Sequence, residues 1–203
     1  MSISAMATTT PSALVQALAK YAGYHRDKRN ILTHFFGLPL IVFGVQVLLA
    51  RAGISIGGVF VSAMWIVTAL ACIYYLRLEL AMGAVMTIWL GLMGWAALAL
   101  SLTAPYAWLI WGIGLFVVGW VIQFIGHYYE GKKPAFVDDL IGLAIGPLFV
   151  AAELLFLCGL RRDLEAHLLG CGGIVDQRYA QISGICCRPA TGTIGSAETF
   201  QFP

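Results

Sequence analysis

Polar residues are spaced along this chain so that they fence off long apolar runs. Four runs offer the roughly 20 apolar residues that a helix needs to cross a hydrocarbon core about 30 Å thick. They are Ile31–Ala50, Gly57–Leu76, Leu80–Leu102 and Tyr106–Gly126. A fifth, Leu140–Leu160, is long enough but carries Gly142, Gly146, Pro147 and Glu153. Proline lacks an amide hydrogen and crowds the preceding turn, so this run is expected to kink or break at Pro147, either as a fifth span or as a re-entrant helix.

Two weaker patterns flank the spans. In residues 12–24, Leu14, Leu18 and Tyr21 recur at helical spacing, which predicts a short amphipathic helix on the membrane surface. After residue 166 the periodicity stops and Gly, Thr, Ser and Cys dominate, so 167–203 reads as a poorly ordered tail. The expected organisation is an N-terminal segment (1–19), a membrane-embedded domain (20–166) and that tail. The expected fold is all-α, a polytopic transmembrane helical bundle of four to five spans with a short N-terminal amphipathic helix.

Composition agrees with lipid as the solvent. Hydrophobic residues make up 60% of the 203 positions and charged residues 11%, against about 25% charged in an average soluble domain. A net charge of +2 gives no reason to expect a nucleic-acid partner. Five cysteines, an odd number, do not make a disulfide framework. Cys72 and Cys158 lie in apolar runs as small hydrophobes, and the adjacent Cys186 and Cys187 lack the spacing of a metal knuckle. Residues 1–13 are Ser/Thr/Ala-rich without a basic start, and the first long apolar run, which begins only near residue 31, is read as a span rather than a cleaved leader.

Basic residues set the orientation. Lys20, Arg26, Lys28, Arg29, Arg77, Lys132 and Lys133 fall on one side of the first four spans and Arg51 on the other. The rule that basic loops stay inside puts the N-terminus in the cytoplasm. A crossing fifth run would leave Arg161 and Arg162 outside, against that rule; a re-entrant one would return them.

Parity then gathers the polar residues. Span one starts and span four ends on the cytoplasmic side, so HRDKRNILTH (His25 to His34) and QFIGHYYEGKKPAFVDDL (Gln123 to Leu140) share one membrane face. These segments hold three of the four histidines, with Glu130, Asp138 and Asp139. His127 and Glu130 share a helix face at i, i+3, and Gln123 joins them at i−4; Asn30 and His34 share a face at i, i+4. His25 and His34 are nine residues apart, opposed by about 180° on one straight helix, so both reach one centre only if the helix breaks between them.

Imidazoles with a carboxylate suit a first-row metal. Two histidines and one carboxylate with open positions suit non-haem Fe(II) and dioxygen, whereas zinc with a bound water would support hydrolysis. Plainer readings stand beside this. Asn30 is a good N-cap, Glu130 has Lys132 and Lys133 for an ordinary ion pair, and Asp138 or Asp139 would favour a helix N-terminus. Glu153 lies deep in an apolar run, where an acid is a functional candidate by default or else a buried hydrogen-bonding group. His167 falls in the tail and reads as a surface residue. Trp108, Trp111, Tyr128 and Tyr129, near span ends, fit an interfacial aromatic belt.

With these segments, and with the following IGPLFVAAELLF, the chain resembles the 2-hydroxy fatty acid dioxygenase family over about residues 20–165. The resemblance implies a multi-span membrane enzyme that uses Fe(II) and O2 to shorten a 2-hydroxy fatty acid by one carbon, releasing CO2. It implies His25, His34 and His127 as iron ligands and Glu130 as the matching acidic position. Asn30, Gln123, Pro134 and Asp138 match supporting positions, and Glu153 is a further supporting candidate. Lys28, Arg29 or Lys132 would steer the substrate carboxylate. The expected partners are that acid, O2 and the bilayer, in an inner or cytoplasmic membrane if bacterial and the endoplasmic reticulum if eukaryotic; oligomeric state stays open. Two rival expectations are a membrane zinc-dependent lipid hydrolase and a non-enzymatic transporter or assembly protein working through Glu153.

Overall fold

The computed structural model describes residues 12–25, 27–131 and 141–170. Pro134, Asp138, Asp139, Lys132 and Lys133 lie outside them, as does most of the expected tail. Among the described residues, seven helices and one small hairpin follow in the order α1 (Ala13–Tyr24), α2 (Lys28–Ala50), β1 (Gly53–Ile56), β2 (Val59–Ser62), α3 (Ala63–Leu78), α4 (Leu80–Ser101), α5 (Ala107–Glu130), α6 (Ile141–Leu157) and α7 (Arg162–Gly170). Three of these helices, α2, α4 and α5, are long and apolar enough to cross a membrane, or four if the bent pair α6–α7 counts as one. Their outer faces carry large apolar side chains such as Leu92, Trp95, Val117 and Phe124, which suits contact with lipid.

The all-α expectation needs one correction. The run that begins at Gly57 does not start as a helix: β1 and β2 pair antiparallel, with Ile56 opposite Val59 and a two-residue turn at Gly57-Gly58. Both glycines have positive φ, +58° and +83°, as a type I′ hairpin turn requires. The β-branched residues Ile54, Ile56, Val59 and Val61 flank the turn and favour strand. Helix α3 keeps 16 residues, about 24 Å at 1.5 Å per residue.

Helices α2 and α5 run antiparallel and touch backbone to backbone. Gly37 and Gly44 on α2 meet Gly119 and Gly112 on α5, and Gly126, a further seven residues along α5, lies against Asn30 and Thr33. A Cβ at Gly44 would come within 2.9 Å of the Gly112 carbonyl oxygen, and one at Gly119 within 2.8 Å of that of Gly37. Small residues allow this approach where lipid offers no hydrophobic drive. The glycine seam aligns the start of α2 with the end of α5.

Helix α1 is present where the pattern predicts it, yet its apolar face is not spent on lipid. Leu14, Leu18 and Tyr21 are buried with Ile145, Leu148 and Phe149 of α6 and Leu164 of α7. Helix α6 also differs from expectation. It runs unbroken through Pro147. The Tyr75 hydroxyl donates to the Ala144 carbonyl at 2.7 Å, one turn before the proline, and so supports the ladder where the ring weakens it.

The break comes later, at Gly159 (φ +71°) and Arg161 (φ +54°), where α7 turns 116° away. Arg161 bridges to Glu79 between α3 and α4 at 3.2 Å. The start of α6 lines cavities with Tyr21, so both ends of α6 meet the end of the bundle where α2 begins. Helix α7 continues to Gly170, across the expected 166/167 boundary.

Candidate metal centre

The required break between His25 and His34 exists. Helix α1 ends at Tyr24 with His25 as its C-cap, and α2 restarts at Lys28. Asp27, not Asn30, caps α2, accepting from the Arg29 amide at 2.8 Å. The helix is interrupted at this junction, and the two histidines no longer oppose each other. Their ring centroids lie 4.4 Å apart, and each is 5.3 Å from the ring of His127 on α5.

The three imidazoles are buried, and each offers a nitrogen so that these atoms lie within 4.8 Å of one another. His25 and His34 are oriented alike. Each places Nδ1 on the carbonyl oxygen of the residue four positions earlier, Tyr21 at 2.9 Å and Asn30 at 2.8 Å. An Nδ1–H held on a backbone carbonyl leaves the Nε2 lone pair for a ligand, the usual arrangement around a metal-binding histidine. His127 Nδ1 is buried without a hydrogen-bond partner. A nitrogen so placed costs free energy unless something binds it. The donor set therefore fits a first-row metal.

A cavity of about 20 Å³ adjoins the rings, lined by Tyr21, His34, Ile41, Trp120, Gln123 and His127 among others. That is room for an ion or a water. Tyr21 stacks on His25 with centroids 4.2 Å apart and 16° between planes. Burial raises the pKa of its hydroxyl above the ordinary tyrosine value, so the ring stays neutral.

Residues 12–157 match the family model described as 2-hydroxy-palmitic acid dioxygenase Mpo1-like. The chain belongs to this family. Over 155 residues it is 32% identical to the 2-hydroxy-palmitic acid dioxygenase MPO1 of Saccharomyces cerevisiae, covering 74% of this chain and 84% of that protein. No solved structure matches it. The matched residues of this Mpo1-like chain include all three histidines and the glycine seam.

Other site residues expected from sequence fall into different places. Glu130 is not among the clustered ligand atoms. Its Oε2 accepts from the Asp27 amide at 2.8 Å and from Asn30 Nδ2 at 3.1 Å, clamping the α1–α2 junction to the end of α5. Asn30 is fully buried and links this clamp to His34 through its carbonyl. Gln123 borders the cavity, with Nε2 buried and unpaired. Glu153 is buried in α6 with Glu165 of α7 as its electrostatic neighbour, and it is not in the histidine group. His167 is exposed and bonds the Asp163 carbonyl.

Arg29, expected to steer a carboxylate, pairs with Asp27 at 2.9 Å and lies over the Tyr129 ring. Asp138 lies outside the described residues. Sequence reasoning passed over Tyr21, counted only as part of an apolar face. Its i−4 relation to His25 was the available signal.

Proposed function

We propose that this Mpo1-like chain is a membrane oxidoreductase that holds iron(II) on His25, His34 and His127. Its reaction is RCH(OH)COOH + O2 → RCOOH + CO2 + H2O, with a 2-hydroxy fatty acid as substrate. The observation that carries this reading is the meeting of three buried histidines from α1, α2 and α5 with ligand atoms within 4.8 Å. Iron(II) supplies the redox chemistry that lets dioxygen react with a closed-shell organic acid.

The chain's own residues do the rest. His25 and His34 are kept in one tautomer by the Tyr21 and Asn30 carbonyls, and Glu130 holds the junction that sets their angle. Neutral Tyr21 and Trp120 wall the cavity and limit water beside the rings.

The membrane arrangement belongs to this reading. Helix α2, the hairpin with α3, α4 and α5 make four passes. Helices α6 and α7 stay at the face where α2 begins, because Arg161 is tied to Glu79 there. Arg161 and Arg162 then remain on the cytoplasmic side with the other basic residues, in keeping with the positive-inside rule. The centre sits at that face, where a polar head can meet the histidines while its chain stays in lipid.

One observation favours a second reading. With Glu130 committed to Asp27 and Asn30, the donor set is three histidines, which also suits catalytic zinc and lipid hydrolysis. Metal analysis of the purified protein separates the two. The oxygenase reading expects stoichiometric iron and O2 uptake that depends on 2-hydroxypalmitate, both lost in His127→Ala with membrane insertion intact. Activity that survives without oxygen and is restored by zinc would replace it with the hydrolase.

A further inference from the structure

The histidine cavity, about 20 Å³, has room for an ion or a water and little else. An organic substrate that reacts there must keep most of its body in adjoining space. A second cavity of about 120 Å³ lies between α1 and the start of α6, its walls including Ala17, Lys20, Tyr21, Gly142 and Ile145. Tyr21 and Gly142 line both cavities, so these two residues form the border between them.

The character of the larger cavity narrows its occupant. Ala17, Tyr21 and Ile145 offer apolar surface, and Lys20 brings a cation to the same lining. A neutral lipid would gain nothing from that charge, whereas an amphiphile with a carboxylate gains both contact and steering. Gly142, without a side chain, adds no bulk at that border.

We propose that this cavity is the channel by which a long-chain carboxylic acid reaches the histidines, and that it holds the methylenes next to the head group. The inference rests on the histidines being the reacting centre. Lys20 draws the carboxylate in, Ala17 and Ile145 flank the chain, and Gly142 is the point where a larger residue closes the route.

The test uses the full chain in lipid nanodiscs with a 2-hydroxypalmitate analogue carrying a diazirine close to its head group. Adducts mapped by mass spectrometry are expected in the peptides spanning Ala17–Tyr24 and Ile141–Ile145, and unlabelled 2-hydroxypalmitate should compete for them. Labelling should fall by about tenfold or more in Gly142→Leu and in Ile145→Trp, the scale on which a reshaped apolar pocket discriminates. Lys20→Met should weaken capture several-fold.

Retained iron shows that a variant is folded, and Ala17→Phe replaces any variant that is not. Adducts elsewhere, unchanged labelling in the variants, or equal competition by phosphatidylcholine would overturn the channel. Labelling needs no turnover, so the two readings fail separately. Absent iron and O2 uptake sink the oxygenase, while a turning-over enzyme labelled elsewhere sinks only the channel.

Discussion

Helix α2 buries polar side chains in two places, and they behave differently. In its last two turns, Gln46 donates from Nε2 to Thr68 Oγ1 at 3.3 Å and to the Leu90 carbonyl at 3.0 Å. That group joins α2 to α3 and α4, contains no titratable side chain, and serves as glue between helices. At its start, His34 meets His25 and His127, with an unpartnered nitrogen on His127 and a cavity beside it. Burial of polarity alone therefore identifies nothing. Gln46 Oε1 is itself buried without a partner, so what separates the regions is that at the histidines several ligand atoms converge within 4.8 Å of one another beside a cavity.

The largest test of that distinction acts on what both regions share, the spacing of α2. Gly119→Leu would drive a side chain into Ile41 and the Gly37 carbonyl, at a cost of roughly 3 kcal/mol or more. It should part His34 from His127, so iron content and thermal stability fall together. Gly114, with nothing near its missing Cβ, is the control; its leucine variant should stay within about 0.5 kcal/mol of the parent.

The next test addresses the centre alone. Glu130→Ala removes the acceptor for Asp27 and Asn30 and should weaken iron binding by roughly 10–100-fold, as loss of an outer partner does. Glu130→Gln, which keeps a carbonyl acceptor, should recover much of this in a chelator titration. If Glu130→Gln were as poor as Glu130→Ala, the carboxylate charge would matter beyond the clamp.

Gln46→Leu should act on the other region only. Its cost is about 0.6–1.7 kcal/mol in stability, the range for interhelical hydrogen bonds in lipid, with iron binding and turnover unchanged. A loss of iron in Gln46→Leu would show that the two regions are not independent.

The smallest effect follows pH. Burial pushes the Glu79 carboxyl up, but the Met82 amide at 2.6 Å and the Arg161 guanidinium outweigh it and hold the pKa below its ordinary value. A carboxyl with a depressed folded pKa contributes stability above its unfolded pKa and loses it as pH falls through the folded one. The α6–α7 end should therefore loosen below about pH 4.5. The pair is partly exposed, so the loss should stay under about 1 kcal/mol. Glu79→Gln should flatten the acid side of the thermal-denaturation profile.

The sequence carried much of this and concealed the rest for physical reasons. Parity and charge put His25, His34 and His127 at one face, and the argument that two histidines nine residues apart need a broken helix is met at Asp27. The contacts of Glu130 with Asp27 and Asn30 were not legible, because helical spacing shows which side chains share a face, not which backbone amides arrive from another helix. The hairpin was legible in Gly57-Gly58 between β-branched residues, but a run of apolar residues reads equally as span or strand. Pro147 pointed to the wrong place for the break because its compensation, Tyr75, lies 69 positions in sequence from the Ala144 carbonyl it supports.

The hairpin has a practical side. Gly57 and Gly58 have open space around them, and the flanking strand residues are exposed. Helix α2 separates this tip from His34, and α3, α4 and α5 separate it from His127, so it is a seam where foreign sequence can be spliced in. A small reporter domain inserted there would leave the chemistry at the far end undisturbed and, in the four-pass arrangement proposed above, sit across the bilayer from it.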